Sequence, residues 1–172
     1  MRVPSIWWVP LLVFFSMVSL AAPAPVSFGE ASKATKRAAE PYLSAYIARD
    51  WDRLEKWMGE EASFSDPTAT LVFGPVKSTG RESTLKYFRE NYGAISHMQF
   101  NQQRAVFSGQ HALFEGTLDF TLDMKSEKPI VTRGMPFVVV LKVVGERVIE
   151  HTDYADYHVF NEARKQRAQA KQ

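Results

Sequence analysis

The sequence predicts an α+β domain: three N-terminal helices packed on a curved antiparallel sheet around an internal pocket. Three observations carry that class. Apolar residues recur at helical spacing as far as Ile95 and at a period of two from Met98 onward. Helices followed by an unbroken block of strands segregate into two layers, which is the α+β arrangement. Hydrophobic residues make up 45% of the 172, enough for one compact domain with a real core.

Residues 1–21 read as a secretory signal peptide. Arg2 is their only positive charge, Ile6 to Leu20 is nearly all apolar, and cleavage after Ala21 puts Ser19 and Ala21 at the small-residue positions. The apolar run, about 15 residues, falls short of the roughly 20 that a spanning helix needs. The expected destination is therefore secreted or periplasmic, with no stable membrane insertion after cleavage. Residues 22–40 read as a linker and the start of the first helix, 41–160 as the domain, and 161–172 as a basic polar tail.

Within the domain, Tyr42, Leu43, Tyr46 and Ile47 mark the first helix, with Pro41 either in its first turn or at a kink in a helix begun near Ser32. Asp50 can cap a second helix whose apolar face is Leu54, Trp57 and Met58, stopped by Gly59. Ala62 to Ser65 is strand-like and is broken by Asp66 and Pro67. A loop through Gly74 and Pro75 leads to Thr79, which has capping-box spacing to Glu82. The third helix then presents Leu85, Phe88, Tyr92 and Ile95 and ends near Gly93. Among the strands, Phe114, Leu118, Phe120 and Leu122 share one face, and Met135, Phe137, Val139, Leu141 and Val143 another. Gly145 and Glu146 turn the last run into Val148 to Tyr154.

The charges exclude one class of function. The chain is +2 overall, yet residues 41–160 hold 13 Lys and Arg against 16 Asp and Glu. The basic excess lies outside, at Lys33, Lys36 and Arg37 and at Arg164, Lys165, Arg167 and Lys171, so no nucleic-acid partner is expected. There is no cysteine, which excludes thiol chemistry and disulfides. The phosphate-cradling glycine loop, the dinucleotide fingerprint and the exposed-serine elbow are also missing. Acid–base chemistry without a cofactor remains.

Its candidates each admit two roles. Tyr42, on an apolar helical face, either donates to an oxygen that gains charge during a reaction or bonds inside the core. Asp66 either closes a turn on its own backbone or, in an apolar pocket, serves as a general base. His151 and Asp153 lie two apart on a strand and share a side, so the carboxylate either orients the imidazole for chemistry or pairs with it structurally. Adding His158 would make a metal triad only if the strand folded back, and no metal is expected. Arg133 breaks an apolar face and either meets an anion or reaches water.

Four segments in this order, YLSAYIARDWD (Tyr42 to Asp52), ASFSDP (Ala62 to Pro67), GRESTLKYF (Gly80 to Phe88) and GERVIEHTDYAD (Gly145 to Asp156), resemble the nuclear-transport-factor-2-like superfamily, in particular its SnoaL-like branch and the ketosteroid isomerases. The resemblance implies a cone-shaped α+β barrel, often a homodimer through the sheet, with an internal pocket. Trp57, Phe64, Phe88 and Phe137 are the expected lining. It implies that Asp66, in its Asp-Pro pair, is the general base and Tyr42 the oxyanion donor. The second oxyanion acid would fall near Phe137 or Val138, both apolar. The stretch Glu150-His151 to Asp156 is similar to the end of SnoaL-like polyketide cyclases without their Trp, which makes Asp156 a candidate acid. Asp153 matches the closing-strand acid of limonene epoxide hydrolases, whose Arg-x-Asp pair is missing. The fold hosts enzymes and binders alike. The expected function is capture of a small apolar molecule with weak acid–base catalysis, the alternative a cofactor-free isomerase, cyclase or lyase.

Overall fold

The computed structural model describes residues 26–125 and 127–169. The expected signal peptide and its cleavage position lie outside the described residues. Helix α1 (Phe28–Ala48) opens on a capping box: the Ser27 side chain accepts from the Glu30 N–H, and the Glu30 carboxylate accepts from the Ser27 N–H. It therefore begins four residues before Ser32, and Pro41 lies in its interior. Arg49, at φ 55°, ends it, and Asp50 accepts from the Arg53 N–H to start the short α2 (Trp51–Glu55).

Strand β1 (Met58–Ser65) follows at once, so Met58 belongs to the strand, Trp57 precedes it, and Gly59 lies inside it instead of stopping a helix. A 3-10 turn (Pro67–Ala69), helix α3 (Thr70–Phe73) and strand β2 (Lys77–Thr79) fill what the sequence reads as loop. Helix α4 (Arg81–Asn91) is capped by Gly80 and not by Thr79, because Thr79 is held in β2 opposite Ser63. Strands β3 (Ile95–Ser108), β4 (His111–Met124), β5 (Glu127–Val144) and β6 (Arg147–Ala155) form the meander. Helix α5 (Tyr157–Gln169) takes most of the expected polar tail, anchored by buried Phe160, whose ring stacks on Phe120 at 5.7 Å.

The α+β class and the cone hold, with two corrections. The sheet runs β2-β1-β6-β5-β4-β3 and does not close. It is also mixed, because β1 pairs with β6 in parallel. These two strands are far apart in the chain, so no hairpin fixes their relative direction, whereas every tight turn in the meander requires antiparallel neighbours.

Two glycines shape the cone. Gly116 faces Gln102 beside a bulge, and a Cβ there would collide with the Asn101 carbonyl oxygen. Gly134, at φ 64°, sits where the β4–β5 register shifts and donates its N–H to Asp119 Oδ1 at 2.7 Å. That shift changes which residues face inward. The buried odd positions Met135 to Val143 give way to Thr132 and Ile130, and Arg133 turns outward to solvent.

Behind the cavity lies a dense aromatic wall. Trp51 stacks on Phe88 at 5.1 Å, and Phe64 meets Phe88 edge-on at 4.8 Å. Each buried phenylalanine contributes about 2–3 kcal/mol.

Candidate functional site

Between α4, β1, the 3-10 turn and the concave faces of β3 to β5 lies a cavity of about 390 Å³, within the usual range for small-molecule sites. Its walls are apolar, from Phe64, Phe73, Ile95, Met98, Leu118, Phe120, Leu122, Met135 and Phe137. Its polar groups are two carboxylates, Asp66 and Asp153, with Tyr46, Tyr87, Asn91, Tyr92 and Tyr157. Among the described residues, no Lys, Arg or His belongs to this lining.

Asp153 is 2% exposed, and its network draws on α1, the end of α4 and its own strand β6. Period-two alternation on β6 points it inward beside His151, whose Nε2 is 2.8 Å from Oδ1. Tyr46, on α1, donates to Oδ2 at 2.6 Å, and its own oxygen lies 2.7 Å from the Tyr92 hydroxyl at the end of α4. Because the Tyr46 proton is committed to a carboxylate, Tyr92 is the donor in that second bond. Tyr42 lies 3.0 Å from His151 Nδ1 and has no other hydrogen-bond partner among the described residues. Its hydroxyl is satisfied only if it donates to Nδ1, which places the imidazole proton on Nε2, facing Asp153. Chains of donors then run from Tyr42 through His151, and from Tyr92 through Tyr46, to one carboxylate.

Asp66, 4% exposed, is held mainly by its own turn. Oδ1 caps the 3-10 turn by accepting from the Ala69 N–H at 2.9 Å and from Thr68 Oγ1 at 2.6 Å. Thr68 in turn accepts from the Ala155 N–H at 2.9 Å, which ties the turn to the end of β6. Tyr157, at the start of α5, donates to Oδ2 at 2.5 Å. A carboxylate offers about four lone pairs, so Asp66 keeps about one free and Asp153 about two.

Burial pushes the Tyr42, Tyr46 and Tyr92 hydroxyls well above the ordinary tyrosine range, and the nearby Asp153 charge adds to it. Tyr157 is likewise raised by burial first and then by Asp66, and Tyr87 by burial and both carboxylates. All five therefore stay protonated as donors. Tyr46, Tyr92, Tyr42 and Tyr157 already spend that proton inside the protein. Of these five, only Tyr87 has a hydroxyl with no hydrogen bond among the described residues.

The expected site residues divide. Asp66, Asp153, Phe64 and Phe137 line the cavity. His151 is buried one layer behind the lining, against Asp153 and the rings of Tyr46 and Phe64. Tyr42 is corrected from oxyanion donor to buried partner of His151, since it lies a helical turn too far back. Asp156 falls beyond the inward alternation of β6, is exposed, and closes the turn into α5 by accepting from the His158 N–H at 3.0 Å. Trp57 and Phe88 are also corrected: Trp57 packs outside the cavity, and Phe88 is sealed between Trp51 and Phe64. The residues missed were Tyr46, Tyr92 and Tyr157. Tyr46 was legible as the position four residues after Tyr42 on the same helical face. Among the described residues no cluster of His, Asp or Glu is placed to hold a metal ion.

Comparison with known proteins agrees with this architecture. Among solved structures, a protein assigned as a SnoaL-like polyketide cyclase from Shewanella putrefaciens CN-32 is 22% identical with a TM-score of 0.67, over 77% of this chain and 96% of that one. A protein of ketosteroid isomerase-like fold from Catenulispora acidiphila DSM 44928, in complex with trimethylamine, is 16% identical with a TM-score of 0.56, over 72% and 88%. TerC, co-crystallised with polyporic acid, is 11% identical with a TM-score of 0.60, over 77% and 98%. No curated protein matches the sequence. The family model of the SnoaL-like domain matches residues 39–151, spanning the stretch from α1 to the strand that carries His151, and the chain belongs to that family.

Proposed function

We propose that the protein captures a small, mainly apolar molecule in this cavity, and that acid–base chemistry at its carboxylates is secondary to binding. One observation carries the reading. The polar groups left free in the cavity are chiefly acceptors, because the tyrosine protons beside Asp66 and Asp153 are already spent on holding them. Stabilising an oxyanion takes convergent donors aimed at one point, and here only Tyr87 has a free hydroxyl. Native mass spectrometry of the purified protein, compared with the mass of the denatured chain, tests the reading. A retained small molecule that is lost when Phe137→Trp fills the cavity is the expected outcome; retention by that variant would move the ligand elsewhere.

A second reading, a cofactor-free isomerase, cyclase or lyase, draws on one feature. Asp66 reaches the cavity in a fixed orientation with a lone pair to spare. It predicts that Asp66→Asn abolishes turnover of an enolisable ketone or an epoxide while the fold persists, and unchanged turnover would end it.

Export to the periplasm or exterior belongs to the proposal, on the strength of the apolar leader, and an intact leader on the protein purified from its own cell would remove it. So does pairing of two copies through the outer face of the sheet, which sedimentation at high concentration would refute by finding a monomer. The charge of the occupant is not set by the fold. One structural neighbour holds trimethylamine and another was co-crystallised with polyporic acid, so the lining of each cavity must decide it.

A further inference from the structure

Resting on the capture reading, we infer that the occupant is a cation: a protonated amine on a compact apolar body. Both carboxylates of the cavity are at least 95% buried, and their partners are hydroxyls, a backbone N–H and one imidazole. Asp66 meets Thr68, the Ala69 backbone and Tyr157. Asp153 meets Tyr46 and His151, whose other ring nitrogen lies 3.0 Å from the Tyr42 hydroxyl. Lysine and arginine are missing from the lining, and neither carboxylate has a Lys or Arg ion-pair partner among the described residues. Buried charge is ordinarily paired, because taking it out of water is costly. In this cavity the charge that would complete the pairing is left for the ligand to bring.

The remaining chemistry fits the same occupant. The free lone pairs of Asp66 and Asp153 call for a ligand that donates, and an ammonium donates without accepting. Around them stand the faces and edges of Phe64, Phe73, Tyr87, Tyr92, Phe120 and Phe137, aromatic surfaces that attract a cation within about 6 Å of a ring centre. An anionic occupant would be placed against two carboxylates, with only the Tyr87 hydroxyl and the second amide N–H of Asn91 to receive it.

The test is calorimetric titration of the purified protein at neutral pH with three probes of one shape: 2-phenylethylammonium, 2-phenylethanol and phenylacetate. The cation is expected to bind tightest, at least about thirtyfold above the alcohol, as for a buried charge pair, with phenylacetate weakest. Asp66→Asn keeps the turn capped and is expected to remove most of that preference while leaving the alcohol's affinity close to unchanged. Alcohol binding equal to or tighter than the cation, or a preference for phenylacetate, overturns the inference and leaves capture standing. A preference that survives in both Asp66→Asn and Asp153→Asn overturns the assignment to these carboxylates. Failure of all three probes, together with an empty cavity in native mass spectrometry, removes the capture reading and the inference together. The wild-type comparison decides between charge types without any variant.

Discussion

The two carboxylates of the cavity are buried almost equally, yet they are built in opposite ways. Asp153 is assembled from long range: Tyr46 is 107 residues away in sequence, His151 reaches it from the same strand, and Tyr42 is 109 residues from His151. Asp66 is assembled locally, with two of its three donors within three residues and only Tyr157 distant. The first forms only when α1, α4 and β6 have come together, so its hydrogen bonds report the whole fold. The second is a turn that exists wherever Pro67 and Thr68 follow Asp66. The teaching is that equal burial hides unequal coupling, and substitutions at the two sites are expected to cost different amounts.

The largest effect expected is one of pH. Tyr42, Tyr46, Tyr92 and Tyr157 all have folded pKa values raised above the ordinary value near 10. Each favours folding while it is protonated in both states, and that advantage is lost as pH rises above the unfolded value toward the folded one. Stability should therefore fall above about pH 10, by about 1.4 kcal/mol per tyrosine per unit and by about 5 kcal/mol in all near pH 11. Urea unfolding from pH 8 to 11 measures it. Three of the four tyrosines belong to the Asp153 network, so Tyr42→Phe should flatten the slope by about a quarter; a flat profile in the parent protein would break the comparison outright.

Next in size is Asp153→Ala. It strips the acceptor from both His151 and Tyr46 inside the core, and the expected loss is about 3–5 kcal/mol in urea unfolding. Asp66→Ala removes a turn cap and leaves Tyr157 unpaired near the cavity, for an expected loss of about 2 kcal/mol. The order of the two is the sharper claim. If Asp66→Ala proved the more damaging, the turn and not the core network would be organising the site.

The same division explains what the sequence disclosed. Asp66 was legible because its neighbours are its partners: Asp-Pro followed by Thr is a turn signature wherever it occurs. His151 and Asp153 were legible as a pair because a strand repeats every two residues. The identity of the donor in the cavity was not, since Tyr42 and Tyr46 lie on one helical face and only the docking depth of α1 on β6 decides which hydroxyl reaches Asp153 and which stops at His151. Arg133 was legible only as a choice between an anion and water, for a related reason. The inward face of β5 follows simple alternation until Gly134, and the register shift there depends on pairing with β4. The helix at 157–169 was hidden because its one firm anchor, Phe160, makes no periodic pattern with the charged residues after it.

The smallest effect expected is that of Tyr157→Phe, and it separates the two regions most cleanly. The variant removes the one long-range hydrogen bond to Asp66 while leaving the Thr68 and Ala69 donors in place. Global stability should drop by only about 1 kcal/mol, the net worth of a typical hydrogen bond. Amide exchange in α5 should quicken all the same, because Tyr157 is the first residue of that helix and Phe160 would be left as its chief anchor. Exchange in α1 and β6 around Asp153 should not change. If α1 and α5 quickened together, the two carboxylates would belong to one cooperative unit, and the local turn at Asp66 would have to be counted as part of the core network that holds Asp153.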